Sequence, residues 1–323
     1  MVSISQGDGV RIDVPGAPTV VVDAAAPDDG LPVYTHAHGD HLYDRAPEAA
    51  ICSDLTRDLA GVRRDGVPDP LDHPAVSLVP SGHVPGSRAV LVEGDRRVLH
   101  TGDCALRDRL FLDGFDPVGA DVLVIESTYG IPEYSFPDPS ETVAEMLTWL
   151  SETRDRPVIL FGYALGRAQQ LQAIVERSDR DRLFVSDAIL DLNAPIERAL
   201  DLSFGARSID DLDRIGPGDA LVLPSQVRSL AFVENLIEDT DALTASVSGW
   251  AVDASFRFAT DYDATFVLSD HCDFEDLVGV VEQVDPSEVY TIHGSTEALA
   301  SELTARGYRA QALKANQHTL GEY

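Results

Sequence analysis

Apolar positions along the chain come in two textures. Over the first ~125 residues they form short runs, alternating or continuous, broken by glycine, proline and aspartate, which is the pattern of strands joined by turns. Segments 89–93 and 97–101 flank Gly94-Asp95-Arg96, predicting a hairpin with glycine where a tight turn needs it. Segment 121–125 (D-V-L-V-I) predicts a buried strand. After Gly130 the texture changes: Pro132, Pro137 and Pro139 make a breaker-rich link, and Ser140 can cap a helix whose apolar positions Val143, Met146, Leu147 and Leu150 recur at helical spacing. A strand at 158–161, a glycine turn and a helix over 166–177 follow. This alternation predicts an α/β segment with a partly parallel sheet. The end of the chain reads as strand 264–268, helix 273–283, strand 289–292 and helix 295–306, the last stopped by Gly307.

Composition narrows the class. The chain has 323 residues, 44% hydrophobic, enough for a sizeable core and for more than one domain. No apolar run reaches the ~18–20 residues of a membrane-spanning helix, and the opening residues lack a basic and an apolar region of a secretory signal. Cys52, Cys104 and Cys272 form no CxxC pair, which argues against a disulfide framework or a thiolate zinc finger. These features predict a cytoplasmic protein. The charge is −31, from 55 Asp and Glu against 24 Lys and Arg, and Lys314 is the sole lysine. Acids spread along the whole chain with lysine almost absent predict a protein of a salt-accumulating cell, where ~1 M salt shortens the Debye length to ~3 Å.

The chemistry starts at Thr35-His36-Ala37-His38-Gly39-Asp40-His41. In an extended segment His36 and His38, at i and i+2, point the same way and can share one ion, while Asp40 and His41 can reach a second just beyond. Imidazole with carboxylate suits zinc, with manganese or iron as substitutes. Three further residues stand at the ends of predicted strands: His83, Asp103 and His293. They complete seven ligands, with His36, His38 and His83 on one metal, Asp40, His41 and His293 on the other, and Asp103 bridging through its two oxygens. His100 reads as structural or as a support to this group, and nothing is expected of His73 and His318. Cys104 and Cys272 neighbour the group and read as fillers of small spaces.

These residues, with Thr101-Gly102-Asp103 and His293-Gly294, resemble the metallo-β-lactamase fold. Glu126-Ser127-Thr128-Tyr129-Gly130 and Ser269-Asp270-His271 resemble motifs of the β-CASP nucleases, with His293 as their third motif. Together with Gly162-Tyr163-Ala164-Leu165-Gly166-Arg167, they look most like the short subgroup of mRNA 3′-end processing factor-like and ligase-associated DNA exonuclease-like proteins. The resemblance covers nearly the whole chain. It implies an α/β fold, a four-layer αββα sandwich built from residues 1–130 and 250–323, with a β-CASP α/β domain inserted over 131–249. It implies a nuclease with two Zn2+ per chain, in which His271 donates a proton to the leaving oxygen or clamps the scissile phosphate, Glu126 orients His271, and Asp40 joins the catalytic group. It also allows a homodimer.

The substrate expected is single-stranded nucleic acid, RNA rather than DNA because the third motif is histidine. The alternatives are DNA exonuclease activity in repair, a small-ester hydrolase on the same metals, and a non-catalytic scaffold paralogue. Gly166 and Arg167, opening a helix after a strand, could hold a backbone phosphate, as could Ser127. Trp250 reads as a core residue, with base stacking as its alternative.

Overall fold

The short apolar runs at the start of the chain do build strands. In a computed structural model of the protein, residues 1–27, 29–259 and 261–313 are described; Lys314 and His318 lie outside them. Strands Ser3–Gln6, Val10–Asp13, Val20–Val22 and Leu31–Val33 form one four-stranded sheet. A six-stranded sheet runs in the order Ala310–Ala312, Glu288–Ile292, Val122–Glu126, Arg97–His100, Arg88–Glu93 and Val76–Pro80. The expected hairpin is there, pairing Leu91 with Leu99 and Glu93 with Arg97. Gly94 serves it by close approach: a Cβ there would stand 2.5 Å from the Pro15 carbonyl oxygen.

Two cores sandwich the larger sheet. Ile4, Ile12, Val20 and Val22 from the small sheet meet Val90, Val98, Val122, Val124 and Ile292 from the large one. The opposite face, Leu91, Leu99, Leu123 and Ile125, packs under helices Phe274–Val284 and Thr296–Ala305 through Leu277, Val281, Leu299 and Leu303. The second of these helices ends as expected, with Gly307 at φ +97° just past its C-cap. Helix Asp54–Arg63, capped by the Ser53 hydroxyl, is an addition to the strands and turns expected there; its buried face is only Thr56, Leu59 and Ala60.

The chain folds into two compact units, one of Met1–Arg107, Asp113–Ser135 and the chain from His271, the other of Asp108–Leu112 and Phe136–Asp270. The second unit is built on six strands in the order Arg207–Ser208, Arg182–Val185, Asp219–Pro224, Val158–Gly162, Leu243–Val247 and Ala264–Phe266. Every neighbouring pair is parallel, so the sheet is fully, not partly, parallel. Strand Ala264–Phe266 pairs with Leu243–Val247, which carries this unit past the 249/250 boundary expected from the sequence. Helix Pro139–Glu152 is capped by Asp138 instead of Ser140, with Pro139 in the first turn, where its missing N–H costs nothing. Its Met146 is fully buried, as its spacing implied. Among the described residues no helix is long and apolar enough to cross a membrane.

Candidate metal centre

The His36–His41 segment leaves strand Leu31–Val33 in extended form and then tightens into the 3-10 turn Gly39–His41. The extended part aims His36 and His38 to one side, and the turn swings His41 back. His83 arrives from the loop after Val76–Pro80, and Asp103 from the loop after Arg97–His100. Gly102, at φ +56°, is needed there: a Cβ would stand 2.8 Å from that of Thr35, and the left-handed turn delivers Asp103 to the histidines.

Four of these side chains lie together. His36 Nε2 lies 3.0 Å from His38 Nδ1, and His83 Nε2 lies 3.2 Å from the same atom. Asp103 Oδ2 is 3.5 Å from both His36 Nε2 and His83 Nε2. Ligands at about 2.0–2.1 Å from a tetrahedral zinc stand about 3.3–3.4 Å apart, so this quartet has the spacing of a cation's ligand shell. Burial, with the neighbouring imidazoles His41, His38 and His83, drives the His36 pKa well below its ordinary value, leaving the neutral ring that a metal requires.

The second group is more open. Asp103 Oδ2 is also 3.6 Å from His41 Nε2, and Asp40 Oδ2, on a side chain 84% exposed, is 4.0 Å from it. The His293 ring lies 5.7 Å from that of His41, centroid to centroid. His293 and Gly294 are both left-handed, at φ +55° and +65°. Ser127 holds that turn, its hydroxyl donating to the carbonyls of Ile292 and His293 while its own carbonyl accepts from Ser295 N–H at 2.8 Å. Ser127 is fully buried and committed to this contact, in place of the phosphate contact expected of it.

Asp23 is the residue the sequence reading missed. Its Oδ2 accepts from His41 Nδ1 at 2.9 Å and from Thr35 Oγ1 at 2.5 Å, and its Oδ1 from Thr35 N–H at 2.7 Å. It therefore fixes the His41 tautomer and turns Nε2 toward Asp103. Burial opposes the charged His41 ring, but Asp103, Asp23 and Asp40 outweigh it and lift its pKa to about 10. A metal on Nε2 would displace that proton. Asp23→Asn should weaken metal affinity about 10–100-fold, the usual effect of losing a carboxylate behind a ligating histidine. Competition with a chromogenic chelator measures this, and unchanged affinity would deny Asp23 the role.

Glu126, at the end of strand Val122–Glu126, is fully buried, and its Oε1 accepts from His271 Nδ1 at 2.8 Å. Cys104 N–H at 3.0 Å, Thr128 Oγ1 at 2.5 Å and Thr128 N–H at 3.3 Å take up its remaining lone pairs, so the carboxylate is engaged in positioning His271. Burial works to raise its pKa, and the His271 charge and hydrogen bond, with Thr128 and Cys104, overrule it and hold the pKa below the ordinary value. The His271 ring stacks at a tilt on His83, centroids 4.5 Å apart. Cys104 and Cys272 pack behind, their sulfurs 3.8 Å apart; their mutual hydrogen bond and burial push the Cys104 thiol well up. His100 is buried too, its Nδ1 accepting from Gly102 N–H and its pKa lowered by burial to about 4, as befits a structural residue.

Arg167 and Gly166 belong to the second unit and are engaged within it. Arg167 is buried and ion-paired with Asp270 at 3.1 Å, and the Gly166 N–H donates to Gln169 Oε1 at 2.7 Å. Neither is the exposed phosphate grip that the sequence suggested. Trp250 is 36% exposed, which corrects its assignment to the core.

No family model matches the chain. A probable DNA ligase of Opitutus terrae is 32% identical over 303 residues, covering 89% of this chain and 29% of that protein. Cleavage and polyadenylation specificity factor subunit 3 of Dictyostelium discoideum is 29% identical over 150 residues, 42% of this chain and 17% of that one. The chain thus spans less than a third of either relative. A crystal structure of an Enterococcus faecalis V583 protein of unknown function superposes with a TM-score of 0.66 over 98% of this chain and 99% of that one, at 15% identity, a likeness of fold alone. The chain is thus similar to part of a relative named for DNA ligation and to part of one named for cleavage and polyadenylation.

Proposed function

We propose that the protein is a metal-dependent nuclease hydrolysing phosphodiester bonds of single-stranded nucleic acid, on a metallo-β-lactamase framework with a β-CASP insertion carried by the second unit. The observation that carries this reading is the placing of Asp103 Oδ2 within 3.6 Å of His36, His83 and His41 at once, with His271 beside His83 on its own carboxylate. His36, His38, His83 and Asp103 would hold one cation, and Asp103, Asp40, His41 and His293 a second, zinc suiting both sets. Ions held there supply Lewis acidity toward phosphate oxygens and lower the pKa of water. The chain's own residues do the rest. Asp23 turns His41 Nε2 toward the cation site, Glu126 leaves His271 Nε2 for the substrate, and His271 stands ready to deliver a proton to the departing oxygen.

RNA is the first reading of the substrate, consistent with the relative named for cleavage and polyadenylation. Single-stranded DNA is the second, favoured by the extent of the match to the probable DNA ligase, 89% of the chain. The test incubates zinc-loaded protein in multimolar KCl with 5′- and 3′-labelled single-stranded RNA and DNA. A metal-dependent ladder is expected, its polarity read from the label, with activity falling as salt is removed. Metal-replete protein that cuts neither polymer would overturn the nuclease reading, and equal activity in dilute buffer would overturn the assignment to a salt-accumulating cell.

A further inference from the structure

In the parallel sheet of the second unit, strand Val158–Gly162 lies between Asp219–Pro224 and Leu243–Val247. The chain leaves Val158–Gly162 toward Arg182–Val185 on one side and leaves Leu243–Val247 toward Ala264–Phe266 on the other. That reversal is the place where open α/β sheets take ligands, outside the carboxyl ends of the strands. Two exposed rings stand there. Tyr163, 53% exposed, directly follows the first strand, and Trp250, 36% exposed, follows the second by three residues. Phe161 pairs in register with Ser246, so the two loops begin about 4.8 Å apart. Leu230 and Phe232, 46% and 51% exposed, flank the start of the helix after Asp219–Pro224. Arg228, in the same loop, holds its guanidinium 5.9 Å from the Phe161 ring centroid and 5.8 Å from that of Tyr262.

Charge singles out the same edge. Residues 157–175, 220–233 and 242–252, which hold strands Val158–Gly162 and Leu243–Val247, all of Asp219–Pro224 but its first residue, and the loops beyond them, contain no aspartate or glutamate in a chain that has 55. Burial accounts for the strands, but the loops reach solvent and are just as bare. At the opposite edge of the sheet Asp155, Asp181 and Asp241 are exposed. The nearest exposed acids stand at the margin: Glu234 follows Phe232 by two residues, Asp253 closes the turn that carries Trp250, and the carbonyl of Asp261 accepts from Arg228 at 3.4 Å.

We propose that Tyr163 and Trp250 form a stacking platform for the bases of a single-stranded nucleic acid, with Arg228 beside it toward the phosphates. The proposal rests on the nuclease reading and adds a site to it. A protein of charge −31 in molar salt gains little from screened phosphate contacts, whereas base–aromatic stacking survives salt. The loops that carry Tyr163, Arg228 and Trp250 hold no carboxylate of their own, which lessens the repulsion a polyanion meets there.

The test uses the full chain, zinc-loaded, in 2 M KCl, with every protein carrying His271→Ala so that the probe outlasts the measurement, and with fluorescein-labelled oligo(U) and oligo(dT) followed by anisotropy. Tyr163→Ala and Trp250→Ala should each weaken binding about ten-fold, and the double variant further, with zinc content and thermal midpoint unchanged. Tyr163→Phe and Trp250→Phe, which keep a ring, should restore most of the affinity. Equal binding by all variants would overturn the platform and leave the nuclease reading standing; no binding by the His271→Ala protein with both rings in place would overturn both. Should the alanine variants instead convert a dimer to a monomer in sedimentation with oligonucleotide affinity unmoved, the edge is a protein interface and the proposal fails.

Discussion

Replacing Asp103 with alanine should reduce phosphodiester cleavage by at least about 10³-fold and lower bound zinc below the native content, with the protein still folded. The argument is geometric. One oxygen, Oδ2, stands 3.5–3.6 Å from ligand nitrogens of His36, His83 and His41, so it is shared by both candidate groups. Its loss leaves three imidazoles on one side and an exposed aspartate with two histidines on the other, and would remove a negative charge that offsets any cations held between them. Metal-ion stabilisation of a phosphoryl transition state is worth several kcal/mol, and each ~1.4 kcal/mol is tenfold in rate. The fold should tolerate the change, because the neighbouring core is held by Leu99, Leu123 and Ile125 and not by this carboxylate. Asp103→Asn keeps the shape and one neutral acceptor, and should retain more metal than alanine while cleaving little faster. Elemental analysis beside a cleavage assay reads both. An Asp103→Ala protein that is metal-replete and active would refute the bridging role.

The site was legible in the sequence wherever a local spacing carried it. Histidines at i and i+2 in an extended segment must share a side, and the structure brings His36 and His38 together for that reason. His83, Asp103 and His293 could be proposed because each follows a run that reads as a strand, and strand ends gather at a sheet edge. What escaped was chemistry carried by side chains with no such signal. Asp23 lies 18 residues before His41, after a three-residue strand in a chain with 38 aspartates, and nothing local distinguishes it. Arg167 and Asp270 are 103 positions apart, and only the parallel pairing of Leu243–Val247 with Ala264–Phe266 gathers the chain near Asp270 into the unit that holds Arg167. That pairing also moved the unit's boundary, since a short strand does not announce which sheet it joins. At the Pro139 helix two short polar residues competed for the cap, and the preference of proline for the first turn decides for Asp138. Trp250 was misread because a lone tryptophan beside a glycine is usually core, and here the 3-10 turn Gly249–Val252 beyond the strand carries it outward.

His271→Ala should keep the zinc and lose about 10²–10⁴-fold in turnover, the range of general acid–base assistance. His271 can be separated from the ligands because its Nδ1 is fixed by Glu126 at 2.8 Å and the Glu126 oxygens are filled by Thr128 and Cys104, a pairing that serves orientation. The His271 side chain is 22% exposed above a Glu126 that is fully buried, and with Nδ1 turned inward, Nε2 is the nitrogen on the substrate's side. If its task is to protonate the leaving oxygen, the loss must depend on how much that oxygen needs a proton. A ribose or deoxyribose alkoxide needs one badly; a nitrophenolate hardly at all. The variant should therefore be severely impaired on RNA or DNA and much less so on bis(p-nitrophenyl) phosphate, and the gap between the two substrates is the signature of proton donation. An equal loss on both would instead make His271 a clamp on the phosphate, and a fall in bound zinc would make it a ligand, so rates on two leaving groups with one metal analysis decide among the three.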